Sequence, residues 1–251
     1  MCKYPGAPIP KQLRWHINLA NEIQFWDDYF RTKGFRWAES YENRFNANRP
    51  LGTLISELVE QIDSEEVTIL DVGAGPLTAL GTGHPTKKIL LTPVDVLAGK
   101  YDRIFLKYGI IPPIRTRYGV AEKLTKTFAM SCFDLVYSRN AIDHCSDPYK
   151  AIKEMLAVAK PGGYVLLEHS INEAQKENWS GLHKWNFAEQ DGEFCISGKK
   201  GSTNVTRLLR NQAEVKCEAS DVETDWLVVL IRKKKPSQSL VSGRAGRRYC
   251  Q

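Results

Sequence analysis

Two kinds of residue in this chain have types and spacing that could do chemistry. The first is a glycine turn. Val67-Thr-Ile-Leu-Asp71-Val72 is a short β-branched run that stops at Gly73-Ala74-Gly75-Pro76. Glycines there let the chain turn sharply and let a ligand approach the backbone. Asp95 follows 22 residues after Gly73, at the end of the next apolar run, where a carboxylate can take both hydroxyls of a ribose. The second kind is the imidazole, the side chain whose ordinary pKa suits proton transfer near neutrality. Of the five histidines, His144 stands next to Asp143 just after an apolar run, His169 ends another, and His183 lies in an aromatic-rich segment. His16 and His84 stand in no comparable setting.

These groups need elements to hold them. Leu19, Ile23, Trp26 and Phe30 form one helical stripe ended by Lys33-Gly34, and such a helix can close over a ligand. Leu51, Leu54, Ile55, Leu58, Val59 and Ile62 form a second, with Pro50 suited to its first turn. From Val67 onward, strands and helices alternate. Strands are predicted at 67–72, 88–95 with Pro93 weakening its end, 112–118, 133–138 and 164–168. A helix after the fourth has Asp147 as N-cap and stops at Pro161-Gly162-Gly163. Residues 213–217 and 226–232 read as an antiparallel pair separated by a turn-rich acidic stretch.

The fold class is therefore α/β: a Rossmann-like, seven-stranded, mostly parallel sheet with helices on both faces and an antiparallel last strand. An N-terminal helical cap over residues 1–64 precedes a ligand-binding domain over 65–233. Before the last two strands comes an insertion, 171–203, rich in aromatics and expected to act as a substrate lid. In it 182–187 and 192–196 can pair as a hairpin across Asp191-Gly192.

Composition excludes several classes. With 42% apolar and 25% charged residues the chain is that of a globular protein. No apolar run approaches the roughly 18 residues of a membrane-spanning helix, so no membrane partner is expected. The start lacks the apolar core of an export signal, and the six cysteines form no C-x-x-C pair, so free thiols and a cytoplasmic location are expected. The net charge is +6, but residues 232–251 hold seven Lys and Arg and no acid, leaving about −1 for the rest. Residues 234–251 read as a basic, disordered tail, and a near-neutral body argues against a nucleic-acid partner.

The ordered set of motifs resembles the class I S-adenosylmethionine-dependent methyltransferases in their small-molecule, type 11 style. Asp71-x-Gly73-Ala74-Gly75 resembles the family's first motif, which contacts the amino-acid end of the cofactor. Asp95-Val96 resembles its ribose-binding site. Gly119-Val-Ala121-Glu122 resembles the adenine pocket, although Val120 stands where the family often has an Asp, leaving that contact to backbone or to Glu122. Arg139-Asn140-Ala-Ile-Asp143-His144 resembles the loop after strand four, and Lys160-Pro-Gly-Gly the turn into strand five. Leu77 replaces the family's third glycine, and Gly81-Thr-Gly-His-Pro85 cuts into the next helix, predicted to be short or irregular.

The resemblance implies S-adenosylmethionine as cofactor and methyl transfer to a small-molecule acceptor, most simply a sugar or natural-product hydroxyl. Ligands of such sheets bind beyond the carboxyl ends of the strands, which selects His144, Asp143 and His169 as catalytic candidates. His183, Trp185 and Asn186 are acceptor-binding candidates. No metal is expected, because no second acid is evident beside Asp143. A homodimer is left open. The alternatives are N-methyl transfer, or a silent domain that binds the cofactor as a regulatory or partner subunit.

Overall fold

The computed structural model describes residues 11–219 and 225–236, with side chains from residue 19 onward. Most of the basic tail, 237–251, and part of the acidic stretch, 220–224, lie outside the described residues. The elements in order are α1 (Lys11–Arg31), α2 (Ala38–Asn43), α3 (Thr53–Glu60), β1 (Glu66–Val72), β2 (Lys88–Asp95), α4 (Ala98–Tyr108), β3 (Arg117–Tyr118), β4 (Phe133–Arg139), α5 (Pro148–Val158), β5 (Ala159–Ser170), α6 (Glu173–Lys176), β6 (Asn186–Gln190), β7 (Glu193–Gly198), β8 (Gly201–Asn204), α7 (Val205–Leu209), β9 (Ala213–Ala219) and β10 (Trp226–Lys233).

Seven strands form one sheet in the order β3-β2-β1-β4-β5-β10-β9. β3, β2, β1, β4 and β5 run parallel, and β10 lies antiparallel to both β5 and β9. The chain leaves β1 for β2 on one side and returns through β4 on the other, so a crevice opens where β1 and β4 end.

Both faces of the sheet are covered, as parallel strands with apolar residues on both sides require. Alternation along β1 sends Val67 and Ile69 to one face, where they meet Ile55, Leu58 and Val59 of α3. Leu70 and Val72 point the other way, toward Ile152, Met155 and Leu156 of α5. Asp147 caps α5 by accepting from the Lys150 amide at 2.9 Å, and Pro148 occupies its first turn. Such a cap contributes about 1 kcal/mol.

Pro93 does not end β2, which runs on through Asp95. Its missing N–H is tolerated because β3 pairs with β2 only at Val94 and Asp95. For the same reason the third strand is two residues long rather than the span 112–118.

No helix follows β1: between Val72 and Lys88 the described chain contains only turns and one bridge. The cause is local. Thr82 and Gly83 donate to Ala47 O and Arg49 O at 2.8 and 2.9 Å, and Leu51 N donates to Gly83 O at 3.0 Å. A Cβ on Gly81 would sit 2.0 Å from Arg49 O. These glycines let the segment dock edge-on against residues 47–51, and the hydrogen bonds replace those of a helix.

The aromatic insertion forms a second sheet, β6-β7-β8. Asp191 (φ 53°) and Gly192 (φ 78°) make its two-residue hairpin turn. Phe187, Phe194 and Ile196 pack into the main core beside Val205 and Leu209. The small sheet is thus a buttress of that core rather than a lid. Only the segment leading into it, including Leu182 and His183, reaches the ligand crevice.

Candidate functional site

The crevice at the carboxyl ends of β1, β2 and β4 opens into a cavity of about 970 Å³, at the upper end of the range for small-molecule sites. Its floor is the glycine turn. Gly73 (φ 75°) and Gly75 (φ 68°) both adopt the left-handed conformation. A Cβ on Gly73 would lie 2.3 Å from that of Ala141, and one on Gly75 2.6 Å from the Trp26 ring. The turn is therefore pinned between the loop after β4 and helix α1. That helix reaches the cavity through Leu19, Glu22, Phe25 and Trp26. It is held to α4 by Phe30 and Tyr101 in a shared apolar cluster and by Lys107 to Asp27 at 2.7 Å.

Asp95 lies in the wall beside Val96. Its two oxygens accept from Gly75 N at 3.1 Å and Leu97 N at 2.7 Å. Burial lifts its pKa above the usual carboxylate range, against the pull of those bonds. Tyr101 also hydrogen-bonds to it, and of the about four acceptor sites of a carboxylate one remains for a hydroxyl of a ligand. Val120, Ala121 and Glu122 line the cavity as well, but Glu122 already accepts from Ser146 N at 2.9 Å. The backbone of this 3-10 turn is left as the polar edge. Arg139 and Asn140 complete the wall. Asn140 (φ 46°) turns the chain out of β4, accepts from Ser170 N at 3.1 Å and donates to Glu173 at 3.0 Å.

Under the floor, Asp71 is buried and accepts from Thr78 Oγ1 at 2.6 Å. Burial raises its pKa to about 6, which the Thr78 hydrogen bond and the Arg44 charge partly oppose. Arg44 itself is the residue that sequence reasoning missed. It lines the cavity, donates through Nη1 to Leu77 O, and lies against the rings of Trp26 and Tyr29 at 5.8 Å. Its Nε is buried with no hydrogen-bond partner among the described residues. No spacing rule points to it, because it comes from the stretch before β1.

The other end of the cavity is built on Asp143. A short 3-10 turn, Ile142–His144, follows β4 and buries the Asp143 carboxylate while His144 faces the cavity. His183 comes in from the insertion with Nδ1 at 3.2 Å from Asp143 Oδ2. His144 Nε2 is 3.5 Å from the same oxygen and 3.3 Å from His183 Nδ1. Burial pushes the Asp143 pKa up, but His144, His183 and His169 outweigh it and hold the carboxyl below its ordinary value. Burial pushes His183 down, and the Asp143 hydrogen bond and charge lift it above its ordinary value. Glu22 and Glu173 close this end, both raised by burial.

Three sequence candidates fall elsewhere. His169 is buried against Phe187, outside the cavity wall, and burial lowers its pKa to about 4. Its Nδ1 stands 3.8 Å from Asp143 Oδ1, behind the cavity wall. Trp185 also lies off the wall, donating through Nε1 to Cys145 O at 3.0 Å. Asn186 is buried and accepts from Gln175 N at 3.0 Å. Both fix the insertion against the loop after β4 and α6, because a buried amide or indole N–H needs a partner.

A doubly wound sheet with a glycine turn, an acid at the end of its second strand and an antiparallel strand beside the last parallel one is the arrangement expected from the resemblance to S-adenosylmethionine-dependent methyltransferases. Residues 70–167 match the family model described as a methyltransferase domain. The chain is similar to an uncharacterized methyltransferase of Mycobacteroides abscessus, 28% identical over 146 residues that cover 55% of this chain and 54% of that protein. It is also similar to the malonyl-[acyl-carrier protein] O-methyltransferase of Yersinia pestis, 24% identical over 160 residues, covering 64% of this chain and 57% of the other. The chain thus spans little more than half the length of these relatives. Among solved structures it is similar to a SAM-dependent methyltransferase of Thermotoga maritima, at 16% identity and a TM-score of 0.49, covering 88% of this chain and 100% of that one. Among the described residues no helix is long and apolar enough to cross a membrane.

Proposed function

We propose that this protein transfers a methyl group from S-adenosylmethionine to a hydroxyl of a small molecule. The observation that carries the reading is that one cavity joins the glycine turn and Asp95 at one end to the Asp143–His144–His183 cluster at the other. Bound there, S-adenosylmethionine supplies a methyl group on a positively charged sulfur.

Each residue then has a task. Asp95 takes a ribose hydroxyl, and the backbone at Val120–Glu122 borders the adenine. In place of the missing helix N-terminus, Arg44 takes the cofactor carboxylate and Asp71 its ammonium. Both are desolvated, which strengthens charge-assisted hydrogen bonds. Asp143 orients the imidazole pair, and His144 takes the acceptor's proton. Holding the acceptor oxygen in line supplies the rest of the rate.

Two expectations follow. His144→Ala and His183→Ala should slow turnover by roughly 10²–10⁴ while leaving calorimetric affinity for S-adenosylhomocysteine unchanged. Intact turnover in His144→Ala would show that the base lies elsewhere. The second concerns pH. Only ionised Asp71 attracts the cofactor ammonium, and its pKa is about 6. Affinity should be level above that pH and fall as pH drops through it, by up to about tenfold per unit. Asp71→Asn should bind weakly at every pH and lose that step.

A second reading, N-methyl transfer, is favoured by the carboxylates of Glu22, Glu173 and Glu177 in the cavity wall, which suit an amine. Assays with paired hydroxyl and amine acceptors separate the two.

A further inference from the structure

We propose that Asp143, His144 and His183 form a binding site for a divalent first-row transition cation such as zinc or iron(II). The three ligand atoms, Asp143 Oδ2, His144 Nε2 and His183 Nδ1, form a triangle with sides of 3.2, 3.3 and 3.5 Å. For bonds of about 2.0–2.1 Å, neighbouring ligand atoms of a tetrahedral zinc site stand about 3.3–3.4 Å apart. The side chains therefore already have the spacing that a cation at their centre requires, without rearrangement of the backbone.

Hydrogen bonding alone explains the triangle less well. The 3.2 and 3.3 Å edges are hydrogen-bonded and share His183 Nδ1, while the 3.5 Å edge is a charge contact, and the carboxylate oxygen brings no proton. If both nitrogens donate to Asp143, two N–H groups face each other across the 3.3 Å edge between the rings. If His144 donates to His183, the 3.2 Å edge is left without a donor, and if His183 donates, its one N–H is shared between Asp143 and His144. A central cation satisfies all three atoms together. Asp143 Oδ1 adds a separate observation: in a residue only 2% exposed, it has no hydrogen-bond partner among the described residues.

Charge points the same way. Glu22 Oε2 stands 3.9 Å from His144 Nδ1, and Glu173 Oε1 stands 4.0 Å from His183 Nδ1. Three carboxylates thus stand around His144 and His183, with Nδ1 of the buried His169 3.8 Å from Asp143 Oδ1 on the far side, and a dication would offset the negative charge. Two nitrogen ligands select zinc, iron, cobalt or nickel over magnesium or calcium, which take oxygen ligands. His144 and His183 line the cavity, so a fourth position can face the acceptor, as three-ligand sites with an open position do. With a cation bound, His144 Nε2 is a ligand and not a base; the cation would instead hold an acceptor oxygen and lower its pKa, so His144 is the base only in the metal-free protein. That role, though not the binding itself, rests on the methyl-transfer reading.

The test uses the full chain, freed of metal with a chelator. Zn²⁺ is added and followed by calorimetry, and Co²⁺ is added and followed by its visible absorption. One site per chain is expected, with the intense d–d bands of low-symmetry cobalt. Loss of an outer partner of a metal site costs 10–100-fold in affinity, so His144→Ala and His183→Ala should each cost about 100-fold or more and erase the bands. Asp143→Asn, its fold checked by circular dichroism, should do the same. Wild-type binding no tighter than that of the variants overturns the proposal, as does stoichiometric binding that survives loss of both histidines. S-adenosylhomocysteine binding on the same samples reports separately on the cofactor reading, so its retention without zinc binding removes the metal site alone.

Discussion

Gly73→Ala is expected to destabilise the protein by roughly 2–5 kcal/mol and to abolish cofactor binding. Two costs add. At φ 75° a residue with a Cβ gives up about 1–2 kcal/mol. The new methyl would also stand 2.3 Å from the Cβ of Ala141, and overpacking of that kind costs about 1–3 kcal/mol. Ala141 cannot simply yield, because it lies between Asn140, bonded to β5 and Glu173, and the turn that carries Asp143. Relief of the clash would move the loop after β4 and so disturb both ends of the cavity. Urea denaturation gives the stability loss. Gly109→Ala is the comparison: it has a similar φ of 63° with nothing near its Cβ, and should show the backbone cost alone.

The second large effect is at Asp95. Asp95→Ala removes the only carboxylate placed at the end of β2 and leaves the Gly75 and Leu97 amides without their acceptor. Hydrogen bonds to a charged group contribute about 1.5–3 kcal/mol each. Loss of the ribose contact together with the anchor of Gly75 in the floor of the cavity should therefore weaken S-adenosylhomocysteine binding by at least about 100-fold. Arg44→Met should cost a comparable amount through the cofactor carboxylate, because no helix terminus stands in for it. Decarboxylated analogues distinguish the two variants: they should lose their preference against Arg44→Met protein and keep it against Asp95→Ala.

Much of this framework could be read from local pattern. The runs at β1 and β4, the Asp147-Pro148 cap of α5 and the antiparallel pair β9–β10 are set by neighbours in sequence. What escaped depended on distant partners. The helix expected after β1 is absent because Thr82 and Gly83 bond to residues 47–51 and Gly81 packs against Arg49, contacts that no window of sequence contains. Helix α4 has its own stripe of Tyr101, Ile104 and Phe105, but these pack on α1 rather than into the sheet's main core. It reads only as the connection between two strands.

The site divides the same way. Position after strand four was enough to mark Asp143 and His144, and the glycine turn with Asp95 marked the cofactor end. The meeting of His183 with Asp143 spans 40 residues and arrives through an irregular segment. Aromatic content made Trp185 and Asn186 look like an acceptor platform, whereas Phe187 and Phe194 show that this content builds core. Arg44 became visible only once the N-terminal segment was seen to fold over the turn.

The most direct measurement is calorimetric titration of the protein with S-adenosylmethionine and S-adenosylhomocysteine near pH 7.5. One site per chain, with a dissociation constant on the order of micromolar and a loss of at least about 100-fold in Asp95→Ala, is the predicted result. No binding of either compound up to millimolar concentration would contradict the assignment of the glycine turn and Asp95 as a cofactor site.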